Sequence, residues 1–289
     1  MKLCRFIPPG GGSPTLGLVD GEQVVDLGTT GLPSDPAAAL AAGGIAAAAE
    51  GAARHPLGDV ELLAPATPRK FLAIALNYAD HIGESGMEAP EVPTFFTKQV
   101  TCVTGPGADV HMPKVSSLLD YEGELAVVIG KRCRHVSEAD APGVIAGYTI
   151  ANDVSVRDWQ LRTPTMMIGK SFDTHGPLGP WLVTPDEIDD PHRLAIRTFV
   201  NDEQRQDGNS SDMIFNGFQQ VAHLSDAMTL EPGDVIATGT PAGVGAAIKP
   251  FPEGLLKVGD SVRVEIDGIG ELVNRVVAEP DGFMMGSDE

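Results

Sequence analysis

The chain has 289 residues, 42% hydrophobic and 21% charged, with a formal charge of −20. That length holds one large domain, or a large one with a small companion, and the apolar content is too high for a disordered polypeptide. The acidic balance, without any Lys/Arg cluster, argues against nucleic acid and anionic membrane surfaces as partners.

From the start of the chain, "KLCRFI" (2–7) and "TLGLVDGEQVVDLG" (15–28) read as short strands, with Asp20-Gly21 as a hairpin signal. The Ala-rich run "PAAALAAGGIAAAAEGAAR" (36–54) predicts a helix starting near Pro36, weakened at Gly43-Gly44 by roughly 1 kcal/mol per glycine. Together these segments form a small N-terminal α/β module, residues 1–65, ahead of a main domain over 66–289. The opening "MKLCRFIPPGGG" lacks the apolar core of a signal peptide, and no apolar stretch nears the ~20 residues that span a bilayer. Cys4, Cys102 and Cys133 are odd in number and widely spaced, which speaks against a disulfide framework or a thiolate zinc site. A soluble, cytoplasmic protein is expected.

After Phe71 the texture becomes strand-rich. "FLAIAL" (71–76) is a buried strand, followed by "NYADHIGESG" (77–86), a polar segment with helical potential. "LAVVIG" (125–130), "VIAGYTIANDVS" (144–155) and "LAIRTFVND" (194–202) read as strands, the last turning through "NDEQRQDG" (201–208). Residues 211–234 offer Ser211 or Asp212 as a helix cap, helical spacing through Phe215, Phe218, Val221, His223 and Leu224, and a stop at Pro232-Gly233. "DVIATG" (234–239) and a hairpin turning at Asp267-Gly268 close the pattern. With no internal repeat and no βαβ rhythm, the fold class is α+β, predominantly β.

The chemistry starts at "LDYEGELAVVIG" (119–130). Strand alternation points Glu122 and Glu124 to one face, about 7 Å apart, where like charges repel unless a cation or water answers them. A third carboxylate, Asp153, follows the strand "GYTIAN" (147–152). Such a set makes an oxygen-only divalent site suited to Mg²⁺, Mn²⁺ or Ca²⁺ rather than zinc. Asp120 shares the parity of the two glutamates and is an alternative third ligand; spacing leaves that choice open. An isolated E-x-E is more often a solvated strand face. Other signatures fail: "IGKS" has Pro164 where a phosphate-binding loop needs glycine, "GVGAAI" follows no βαβ unit, and neither G-x-S-x-G nor H-E-x-x-H occurs. His111, His135, His175, His192 and His223 show no metal-ligand spacing.

Five segments, "LNYADHIGESG", "DYEGELAVVIGK", "GYTIANDVSVRDWQ", "GKSFDTHGPLGPWLVT" and "GDVIATGTPAGVG", occur in the order found in the fumarylacetoacetate hydrolase superfamily, so the chain resembles it over about residues 65–275. The resemblance implies a mixed β-roll or sandwich with few helices, behind the small N-terminal module, in a homodimer. It implies Mg²⁺, or Mn²⁺ or Ca²⁺, held by Glu122, Glu124 and Asp153, with Asp120 outside the ligand set. It implies a lid carrying a His81–Glu84 pair, a catalytic Lys170, and Gln160 to position water. Arg157, Thr240 and Lys98 match substrate-binding positions. Met166, Met167 and Ile168, beside Lys170, are expected to meet an apolar substrate tail.

The activity this implies is hydrolytic C–C cleavage of a β-diketo acid such as an acylpyruvate or fumarylacetoacetate, an anionic keto acid. Two alternatives use the same metal and enolate chemistry: decarboxylation or tautomerisation of oxaloacetate-like acids, and isomerisation of 2-hydroxyhepta-2,4-diene-1,7-dioate-type acids. A non-catalytic, metal-dependent small-acid binding protein is the alternative of another class. It predicts that His81 is dispensable.

Overall fold

The computed structural model describes residues 1–86 and 88–281. Residues 282–289, at the end of the expected 66–289 domain, lie outside the described residues.

The apolar run after Glu124 forms the strand Gly123–Ile129, buried along its whole length. Alternation sends Leu125, Val127 and Ile129 into one core and Ala126 and Val128 into another. A strand covered on both faces has no polar side to show, which is why its sequence is continuously apolar. It lies between antiparallel neighbours Ile145–Asn152 and Val235–Ala237. Val235–Ala237 pairs in parallel with Phe71–Ala75, which pairs with Thr94–Lys98 at the edge. In the other direction Ile145–Asn152 pairs with Gly176–Val183, and that strand pairs with Lys2–Ile7. Thr15–Asp20, Gln23–Asp26 and Arg54–Pro56 extend the same sheet. The N-terminal segment is therefore hydrogen-bonded into the main sheet.

A second sheet of five strands runs Glu203–Asn209, Ala195–Val200, Ser261–Ile266, Gly270–Ala278, Asp109–Met112. Its Ile196, Val264, Leu272 and Val276 share one core with Leu125, Val127 and Ile129. Each such fully buried side chain is worth roughly 1.5–3 kcal/mol of transfer free energy, so this interface fixes the strand whose start carries the acidic pair. The result is the mixed, strand-rich α+β fold anticipated above. Among the described residues no helix is long and apolar enough to cross a membrane.

Local chemistry moved several boundaries. The Ala-rich segment is two short helices, Pro36–Ala42 and Ile45–Ala48, because Gly43 and Gly44 take positive φ (77° and 82°) between them. The first hairpin turns on Gly21-Glu22, since Asp20 pairs with Gln23. The segment "NDEQRQDG" turns only at Asn201-Asp202; Glu203–Asn209 is a strand paired with Ala195–Val200. The long helix is Gly217–Ala227, capped by Asn216 rather than Ser211 or Asp212. Asn216 Oδ1 accepts from the N–H groups of Phe218 and Gln219, and Gln219 Oε1 accepts from Asn216 N–H. That reciprocal pair outcompetes a serine upstream and leaves Phe215 before the helix. Ala79–Ser85, within the polar segment, is helical as expected.

Candidate functional site

Gly123 pairs with Asn152, so the acidic pair and Asp153 meet at adjacent strand ends. Two further bonds lock the corner: Glu122 N–H donates to Asn152 Oδ1 at 3.1 Å, and Asp153 N–H donates to Glu122 O at 2.9 Å. As a result Glu122, Glu124 and Asp153, all buried, each offer an oxygen within 4.8 Å of the others. Asp120 turns away from them. Its carboxylate accepts from Arg157 Nε at 2.8 Å and from the N–H groups of Gly245 and Ala246 at 2.8 and 2.9 Å. Asp153, and not Asp120, is thus the carboxylate that the fold gathers with Glu122 and Glu124.

Three cations surround the corner. Lys170 Nζ donates to Glu122 Oε2 at 2.7 Å and Asp153 Oδ2 at 2.8 Å. Lys98 Nζ lies 2.6 Å from Asp153 Oδ1, and Arg157 Nη1 lies 2.7 Å from Glu122 Oε1. Among the described residues Glu124 has no such partner and accepts a backbone hydrogen bond from Gly239 N–H at 2.7 Å. Four buried carboxylates, Asp120 included, outnumber the three cations, and Glu124 is the one left without an ion pair among the described residues. Burial, then the like charges of Asp153 and Glu122, push the Glu124 carboxyl well above the usual carboxylate range. For Glu122, burial pulls upward too, but Lys170 and Arg157 outweigh it and hold the carboxyl at about 2. Burial lowers Lys170 less than Asp153 and Glu122 raise it. A hard dication fits this donor set: all three groups offer oxygen, and the carboxylate that most resists ionisation is the one without a positive partner.

The helix Ala79–Ser85 approaches from the side. His81 Nδ1 is 3.3 Å from Glu84 Oε2. Glu84 also accepts Gly243 N–H at 3.1 Å, and Asp80 accepts Ala242 N–H at 3.2 Å, which docks the helix on the loop after Thr240. Arg157 and Gln160 share the short helix Arg157–Gln160, where Arg157 Nη1 donates to Gln160 Oε1 at 2.9 Å. The turn bearing Lys170 packs against that helix only because residue 169 is glycine: a Cβ there would sit 2.1 Å from Gln160 N. Thr240 donates to Gly123 O at 2.9 Å and accepts from Gln206 Nε2 at 2.8 Å.

His81, Glu84, Glu122, Glu124, Arg157, Gln160, Lys170 and Thr240 line one cavity of about 390 Å³. This is a volume typical of a small-molecule site. Lys98, expected to contact substrate, does not line it. Its side chain is fully enclosed against Asp153, with Nζ also donating to Lys170 O, so it neutralises a buried carboxylate. Of the three residues expected beside an apolar tail, Met166 lines the cavity, while Met167 faces Gln99 and Ile168 is largely exposed. Sequence reading missed the rest of the apolar wall, including Leu76, Phe96, Leu161 and Val244, and missed Lys249 at its rim. Leu76 has φ of 52°, a backbone state no sequence pattern announces for a leucine.

A strand-rich α+β scaffold that closes a small-molecule cavity over a buried carboxylate triad defines the class: an enzyme scaffold able to hold a divalent cation. The chain belongs to the fumarylacetoacetate hydrolase family, whose C-terminal family model matches residues 70–277, while a model described as Rv2993c-like, N-terminal, matches residues 1–65. A Burkholderia cenocepacia protein described as "putative hydrolase" is 45% identical over 277 residues, covering 94% of this chain and 97% of its own. The structure of maleylpyruvate hydrolase from Sphingobium sp. SYK-6, in complex with manganese(II) and pyruvate, is similar at TM-score 0.80 and 34% identity, covering 97% of this chain and all of that one. A 5-carboxymethyl-2-hydroxymuconate delta-isomerase structure from Mycobacterium smegmatis is similar at TM-score 0.79 and 37% identity, covering 96% and 100%.

Proposed function

We propose that the protein is a divalent-metal-dependent hydrolase that cleaves a C–C bond in a β-diketo acid of the acylpyruvate type. The observation that carries this reading is the placement of His81, paired to Glu84, on the same cavity as Glu122, Glu124 and Lys170. Mg²⁺ or Mn²⁺ held by Glu122, Glu124 and Asp153 supplies a Lewis acid for the 2-oxo acid end of the substrate. With Nδ1 beside Glu84, His81 keeps Nε2 to take a proton from the attacking water. Glu84 fixes the ring's orientation. Lys170 uses two N–H bonds on Glu122 and Asp153, and the third neutralises the enolate oxygen left when the bond breaks. Arg157 and Gln160 orient the substrate and water, and Thr240 closes the opposite wall. In this reading residues 66–289 carry the chemistry and 1–65 brace the sheet.

The similarity to an isomerase favours a second reading, in which the same groups move a proton on an enolate without water attack. Metal-supplemented assays on acylpyruvates, oxaloacetate and unsaturated dioates, with products identified by mass, separate the two. Release of pyruvate and a free acid from an acylpyruvate is expected. Turnover of oxaloacetate or a dioate with every acylpyruvate left intact would overturn hydrolysis.

A further inference from the structure

We infer that Lys249 is a specificity-determining residue that reads an anionic group at the far end of the substrate. The assignment rests on the keto-acid reading above and names what that site selects.

Three lysine or arginine side chains line the cavity: Arg157, Lys170 and Lys249. The first two are already paired with carboxylates of the site, at 2.7 Å from Glu122 in each case. Lys249 makes no hydrogen bond or ion pair with any described residue. Lys249 is thus the one cation lining the cavity that no carboxylate of the described residues neutralises. Beyond a screening length of about 8 Å the acidic surface repels anions weakly, so one local ammonium decides what an incoming anion meets at the mouth.

The loop that presents Lys249 is built in place. Asp120, fully buried, accepts from the N–H groups of Gly245, Ala246 and Tyr121 and also from Arg157. One carboxylate thus ties the loop's base to the arginine on the cavity floor. Ala246 and Ala247 follow on the wall and then Lys249 on the rim. With Leu161, Met166 and Val244 this makes an apolar stretch shared by the charged floor and the lone ammonium. A 2-oxo acid seated on the floor runs its chain along that stretch. A terminal carboxylate then meets Lys249 and a methyl does not.

The test uses two uncleavable 2-oxo acids of equal chain length, 2-oxopentanoate and 2-oxoglutarate, titrated calorimetrically into the full chain with Mn²⁺. Wild type is expected to bind the dicarboxylate up to about fivefold tighter, in line with a partly exposed charge pair. Lys249→Met should erase that preference while leaving 2-oxopentanoate affinity unchanged, and Lys249→Arg should retain it. Equal wild-type affinity for the two acids, or a preference that survives in Lys249→Met, overturns the assignment and leaves the keto-acid reading standing. Binding of neither acid in the presence of metal overturns both.

Discussion

Lys98 and Asp153 meet at 2.6 Å with side-chain exposures of 0% and 1%, and Lys98 is not among the residues that line the cavity. A buried pair of this kind is expensive to break, because the surviving charge keeps its desolvation penalty without its partner. Lys98→Met should therefore lower unfolding free energy in denaturant titration, by less than the about 3–5 kcal/mol of a fully orphaned charge because Lys170 still holds Asp153 at 2.8 Å. A substrate-contacting lysine would behave differently, raising KM with little change in stability. That second pattern would return Lys98 to the substrate site.

Glu124 predicts the opposite sign. Its carboxyl is raised by burial and by Asp153 and Glu122, so the folded state holds a proton more tightly than the unfolded state does. A raised carboxyl costs stability as pH rises above the ordinary carboxylate range, since the unfolded chain then ionises more readily. In chelator at neutral pH, Glu124→Gln should melt at or above the wild-type temperature. A dication at 100 times its Kd stabilises wild type by about 2.7 kcal/mol, and the variant should lose that increment. Thermal scans with Mn²⁺ and with chelator check both halves. A variant that melts lower in chelator and still responds to metal would remove Glu124 from the ligand set.

His81 and Glu84 separate catalysis from binding. Loss of a positioned acid–base group costs on the order of 10²–10⁴ in rate, so His81→Ala should drop kcat by that factor with KM little changed. Glu84→Gln keeps an acceptor for Gly243 N–H and removes only the charge beside the imidazole, so its loss should be smaller. An acid-binding protein without turnover would show no effect of His81→Ala on ligand affinity and no wild-type products at all.

How far these residues were legible in the sequence depended on what kind of contact places them. Glu122 and Glu124 were readable as a same-face pair because strand parity is a one-dimensional feature, whereas Asp153 was preferred to Asp120 only through the family resemblance. The fate of Asp120 was not readable, since it depends on Gly245 and Ala246, 125 and 126 residues away. Lys98 has a motif position but no sequence mark of which side of Asp153 it occupies. Asn216 was misjudged because capping was sought at the first polar residue, whereas the reciprocal Gln219 three positions on decides it. Gly43-Gly44 was read as a weak point in one helix, and positive φ at both made it a break. Lys249 carries no periodic or motif signal; only the cavity reveals it.

His175 supplies a pH dependence independent of the metal ligands' own titration. Its Nε2 donates to His111 O at 2.8 Å, while the buried Nδ1 has no partner and the ring stacks on Phe172. Burial, with like-charge repulsion from Lys98 and His111, pushes the imidazole down to about 3. A base whose folded pKa is depressed binds protons preferentially in the unfolded state, so stability falls as pH drops below the ordinary histidine value near 6.5 and levels out near 3. At pH 5 the loss relative to neutral pH is about 2 kcal/mol. His175→Gln can offer a donor to His111 O but cannot take up the proton. Its unfolding free energy between pH 7 and pH 5 should fall by about 2 kcal/mol less than that of wild type, read from denaturant curves at each pH. Parallel profiles for the two proteins would show that the acid sensitivity of the fold arises elsewhere.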